Sequence, residues 1–123
     1  MRTIKTSEIT KNIKEMCIEA NHYLSSDMGE AMKHAVKTEE SELGKKILNQ
    51  LQDNLKIADE EMIPICQDTG MAVVFLEIGQ DVHFEGDLLE DAVNEGVRQG
   101  YTEGFLRKSV VKDPLIRENT KDN

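Results

Sequence analysis

Apolar residues return at helical spacing through the first half of the chain. Ile9, Ile13, Met16, Cys17, Ala20 and Leu24 form one stripe, and Ser7 stands where an N-cap belongs. Asp27, with Glu30 three residues on, has the form of a capping box. Met28, Ala31, Met32, Ala35 and Val36 follow it as a second, short amphipathic helix. A third runs from about Ser41 into the fifties. Leu43, Ile47, Leu48, Leu51, Leu55 and Ala58 share one side, while Lys45, Lys46, Gln50 and Asp53 face water. The pattern therefore predicts helices over residues 7–60. Pro64 closes the region, because the residue before a proline is pushed out of the α conformation.

The period then changes. A loop at residues 64–70, "PICQDTG", leads into "MAVVFLEI" at residues 71–78. Branched and aromatic residues dominate the second stretch, which predicts a strand. Its apolar positions are consecutive, so burial on both faces is expected. "GQD" turns the chain, and "VHF" is expected to pair back in a hairpin-like manner. Asp87 with Glu90 is a second capping box, opening a helix over residues 87–100 that carries Leu88, Leu89, Ala92, Val93 and Val97. Gly96, Gly100 and Gly104 recur every fourth residue. Such spacing implies either close approach of another backbone or a helix ending near Gly100. Residues 105–123 form a tail with Arg107, Lys108, Lys112 and Arg117, the least globular part of the pattern. The expected fold is α+β: amphipathic helices, a short β-hairpin-like pair and another helix.

At 123 residues the chain suits one modest domain with a thin margin of stability. Its formal charge of -9 opposes sequence-independent binding of nucleic acid and adsorption to an anionic membrane. No apolar run approaches the ~20 residues of a membrane span, and the first residues lack the apolar core of a signal peptide. A cytoplasmic location is the expectation. There Cys17 and Cys66 stay reduced, and a thiol is core filler, nucleophile or metal ligand. Cys17 lies on the first apolar stripe and reads as a small buried hydrophobe.

Cys66 is the open question. Asp68 and Thr69 could simply bond local backbone in a turn, with Gly70 supplying a positive φ. That account leaves Cys66 and Gln67 unexplained, and loops at strand ends are where sites are commonly built. One cysteine does not hold a metal or cluster. His22, His34 and His83 show no ligand spacing, and none is placed beside Cys66 for a thiol dyad.

Three ordered segments carry a family likeness: "IPICQDTGMAVVFLEIG", "EGVRQGYTEGFLRKSVVKDPL" and "RENTKDN". With the helices before them, they make the chain resemble the N-terminal portion of class I iron–sulfur fumarases. It resembles equally the alpha subunits of L-tartrate dehydratases. The resemblance implies a larger α/β hydro-lyase domain and a [4Fe–4S] cluster held by three cysteines. It also implies an open iron that acts as a Lewis acid while a base removes a proton. Carried over residue by residue, it makes Cys66 a cluster ligand. Gln67 and Asp68 line the substrate pocket, and Asp68 is the candidate for proton transfer or for orienting the iron-bound group. Arg107 pairs with a substrate carboxylate, a task suited to its planar fork.

Two departures stand out. The family segment is expected to read N-T-G-D-N, and here the glycine position holds Lys121. The family's other two cluster cysteines and its base-bearing beta region have no counterpart among these residues. The resemblance therefore implies an N-terminal segment that needs the remaining alpha and beta segments, in a homo- or hetero-oligomer, to act on a small dicarboxylate. The alternatives are a non-catalytic assembly or regulatory module that keeps the fold, and a thiol enzyme using Cys66 as nucleophile.

Overall fold

The computed structural model describes residues 1–66 and 70–123; Gln67, Asp68 and Thr69 lie outside the described residues. Two strands and four helices are present among the described residues: β1 (Arg2–Lys5), α1 (Thr6–His22), α2 (Ser26–Thr38), α3 (Glu42–Glu61), β2 (Val82–Glu85) and α4 (Leu89–Glu103). The α+β class stands. The chain divides into two compact units, Met1–Ile18 with Asp68–Asn123, and Glu19–Gln67.

In the first unit β1 and β2 pair in parallel, with Arg2 opposite Val82 and Lys5 opposite Glu85. The two strands therefore exist as a pair, but "VHF" joins the chain's first residues and not residues 71–78. Residues 71–79 belong to neither strand. Burial alternates over residues 71–75, where Ala72 and Val74 pack on the core while Val73 is 67% and Phe75 91% exposed, and residues 76–79 are exposed. The expected burial on both faces is thus corrected to burial on one.

Thr6 joins sheet to helix. Its hydroxyl donates to the Glu85 carbonyl at 3.4 Å and accepts from the Asp87 N–H at 3.0 Å. The helix starts one residue later than the Asp87 box expects, and Leu88 occupies the N-cap without a side-chain bond. Gly86, at φ 120, passes so close to the Thr6 hydroxyl that a Cβ would collide with it.

The core of this unit is Ile13, Val97, Tyr101 and Leu106, with Ile9, Cys17, Ala72 and Val74 against it. Each fully buried aliphatic side chain contributes roughly 1.5–3 kcal/mol. Ile9, Ile13 and Cys17 are the predicted stripe of α1. The glycines of α4 let that stripe come close. A Cβ at Gly96 would sit 2.7 Å from the Ile13 Cβ and the Thr10 carbonyl, and one at Gly100 would sit 2.8 Å from the Cys17 Cβ. Close backbone approach is therefore the reason for the glycine repeat, and α4 runs on past Gly100 to Glu103. The Thr10 hydroxyl donates to the Ala92 carbonyl at 2.9 Å across the same seam.

The second unit is a helical hairpin. Ser41 caps α3 by accepting from the Gly44 N–H. The Asp27 and Glu30 box does not form, because α2 starts two residues earlier with Ser25 as N-cap. The Ser25 hydroxyl beside Asp27 holds that carboxyl below the ordinary carboxylate range. No residue of α2 is fully buried, and only Ala58 of α3 is.

Candidate functional site

The approach to Cys66 is built in the second unit. α3 stops at Met62, whose left-handed φ of 52 ends the helix while its N–H still donates to the Ala58 carbonyl. The Ile63 N–H reaches the same carbonyl at 3.1 Å. Pro64 follows, and Ile65 is buried, its N–H donating to the Asn21 carbonyl at 2.9 Å. The Cys66 N–H donates to Asn54 Oδ1 of α3 at 3.0 Å. The backbone of Cys66 is thus fixed while its side chain is exposed. Cys17 is the opposite case: half-buried in the first unit, with burial pushing its thiol pKa up. The two cysteines form no disulfide. Gln67 and Asp68, the next expected site residues, lie outside the described residues.

The motif resumes at Gly70 in the first unit, with the positive φ of 57 that its turn requires. The Gly70 carbonyl accepts from Asn123 Nδ2 at 2.7 Å. The same amide nitrogen reaches the Arg107 carbonyl at 3.4 Å, and Asn123 Oδ1 accepts the Val110 N–H at 2.9 Å. One side chain thus ties together Gly70, Arg107 and Val110. Asn119 does parallel work. Its Nδ2 donates to the Lys108 carbonyl at 2.8 Å, and its Oδ1 accepts the Lys121 N–H at 2.6 Å. Thr120 covers the Val110 carbonyl with both its N–H, at 3.0 Å, and its hydroxyl, at 3.3 Å.

The expected loose tail is therefore an organised loop. Val111 and Asn119 form an antiparallel bridge, and Asp113 Oδ1 accepts from Leu115 and Ile116 to close the turn at Pro114. Arg117, Lys121 and Asn123 all adopt left-handed φ, at 59, 66 and 54. The Thr120 hydroxyl beside Asp122 holds that carboxyl below the ordinary range, with Lys112 adding to the effect.

Of the sequence-predicted residues, the structure brings Gly70 and the backbone of Arg107 to one amide. The side chain of Arg107 is exposed. Sequence reasoning missed Asn54, Asn119 and Asn123. The available signal was the pair of asparagines in a seven-residue polar motif, a residue type that bonds backbone and tolerates left-handed φ.

A [4Fe–4S] cluster needs three or four thiolates. Cys66 offers one. Cys17 is packed at the α1–α4 seam in the core of the first unit, and no three His, Cys, Asp or Glu gather at a point among the described residues. The donor set of this chain does not fit a complete cluster.

The family model for fumarate hydratase (Fumerase) matches residues 10–123. The chain is 39% identical over 118 residues to the "Putative L(+)-tartrate dehydratase subunit alpha" of Methanocaldococcus jannaschii, covering 94% of this chain and 41% of that protein. It is 26% identical to the "Putative fumarate hydratase class I" of Geobacillus stearothermophilus, covering 94% of this chain and 22% of that one. It is 27% identical to the L(+)-tartrate dehydratase subunit alpha of Escherichia coli K12, covering 88% and 34%. The chain thus spans about two fifths of the first relative's length and less of the other two. No helix among the described residues is long and apolar enough to cross a membrane.

Proposed function

The chain belongs to the fumarate hydratase (Fumerase) family, and from that premise we propose that it is the N-terminal region of an iron–sulfur hydro-lyase. The substrate class is a small hydroxy-dicarboxylate, with water added to fumarate or removed from L-tartrate. The observation that carries this reading is the meeting at Asn123. The end of the "CQDTG" loop and Arg107, far apart in sequence, are bonded to one amide of the "RENTKDN" segment. All three segments are those the family likeness rests on.

In this reading Arg107 pairs its guanidinium with one substrate carboxylate through two parallel N–H bonds. Gln67 and Asp68 line the pocket, and Asp68 moves a proton or orients the reacting group. Cys66, with its backbone held by Asn54 and its side chain exposed, is one thiolate ligand of the cluster. The other thiolates come from further alpha segments, and a beta region completes the site.

Anaerobic reconstitution with iron and sulfide tests this. The 123-residue chain alone gives no stable cluster. Joined with the remaining alpha and beta segments it gives one, together with hydration of fumarate or dehydration of tartrate, and Cys66→Ser removes both. A complete, folded assembly that takes up no cluster would sink the proposal. It would favour a non-catalytic assembly module.

A further inference from the structure

We propose that Asn119 and Asn123 form a clamp that positions Arg107 for its carboxylate partner; the ligand named rests on the function just proposed. Arg107 lies beyond the end of α4, in a stretch that is neither helix nor strand. A long side chain is aimed by its backbone, and a misplacement of about 1 Å can cost 100-fold in a positioned reaction. In this stretch the backbone is held by side-chain amides. Asn123 bonds the Arg107 carbonyl and Asn119 bonds the next carbonyl, that of Lys108.

The residue type matters. A carboxamide donates and accepts at once. Asn123 gives Nδ2 to Gly70 and Arg107 while Oδ1 takes the Val110 N–H. Asn119 gives Nδ2 to Lys108 while Oδ1 takes the Lys121 N–H. A hydroxyl is too short for both tasks, and a carboxylate lacks the donor. The backbone of the clamp is also bent at a cost. Non-glycine residues in left-handed φ persist where surrounding bonds over-determine them, and such residues cluster at functional sites. Arg117, Lys121 and Asn123 are three of them within seven residues. Because Asn123 also holds Gly70, the clamp ties the arginine to the backbone that follows the Cys66 loop.

The test uses Asn123→Asp in the assembled hydro-lyase. Aspartate keeps the acceptor for Val110 and loses the donor to Gly70 and Arg107. The KM for the dicarboxylate is expected to rise about tenfold, with kcat changed much less, the sign of a lost binding contact. Positioning through Arg107 also predicts non-additivity. Once Arg107→Lys is in place, adding Asn123→Asp raises KM less than about threefold further. Equal effects in both backgrounds, or an unchanged KM, overturn the clamp. If the wild-type assembly turns over no dicarboxylate, the functional reading fails by itself. The clamp is then judged in the 123-residue chain by the Arg107 Nε–H resonance and Val110 amide exchange. A moved Arg107 resonance with Val110 protection retained in Asn123→Asp supports it, and an unmoved resonance overturns it.

Discussion

Lys121 has a φ of 66, a conformation that costs a residue with a Cβ roughly 1–2 kcal/mol. The family likeness places a glycine there. The Asn119 side chain, accepting the Lys121 N–H, holds the bend in place despite that cost. Glycine would remove the steric penalty but return some freedom to the unfolded chain. Lys121→Gly should therefore stabilise the first unit modestly, by about 0.5–1 kcal/mol. Urea unfolding measures it, and a loss of stability would show that the lysine side chain contributes something beyond its backbone. This position was legible in part, since the family likeness expects glycine, the residue suited to positive φ, where Lys121 stands. The partners of the asparagines were not legible. Asn123 finds its partners 53 and 16 residues away, and Asn54 finds Cys66 12 residues away. No local pattern announces such bonds.

At the scale of elements, periodicity carried the helices well because each buries one face. It placed the start of α3 near Ser41 and put the glycine repeat on α4. It misjudged two caps, since Leu88 and not Asp87 stands at the N-cap of α4, and Ser25 and not Asp27 at that of α2. It misjudged the strand partner because a parallel pair joins residues about 80 apart, and a four-residue strand carries no sign of its neighbour. The glycines allow a paired test of the helix seam. Gly96→Ala gains about 1 kcal/mol of helix propensity but drives a Cβ into the Thr10 carbonyl, and backbone cannot turn aside. Overpacking of this kind costs about 1–3 kcal/mol, so net destabilisation is expected. Gly29 in α2 has nothing within 4 Å of its Cβ direction, and Gly29→Ala should instead stabilise by up to about 1 kcal/mol. Thermal melts of the two variants should move in opposite directions. Shifts of the same sign would mean that the α1–α4 seam yields more easily than its spacing implies.

Across the whole molecule, apolar side chains outnumber the places that bury them. The first unit leaves Phe75, Phe105, Leu115 and Ile116 at least 79% exposed, and the second leaves Leu43 and Met62 more than 60% exposed. Single exposed apolar residues are ordinary, but this many on a chain with so small a core mark surfaces meant for contact. Residues 71–78 add a second driving force. Their one bare face is apolar, and their backbone belongs to no ladder, so another extended segment can pair with them. Burying a few such side chains contributes roughly 2 kcal/mol each, enough to offset the low end of the association cost of about 4–15 kcal/mol. The net charge of -9 opposes this, but salt at about 0.15 M screens charges beyond roughly 8 Å. The chain by itself should therefore sediment as species heavier than its 13.9 kDa monomer at micromolar concentration. Phe75→Ser should return part of it to monomer, and added salt should strengthen association. A single sharp monomer boundary for the unaltered chain would show that these faces do not associate under those conditions.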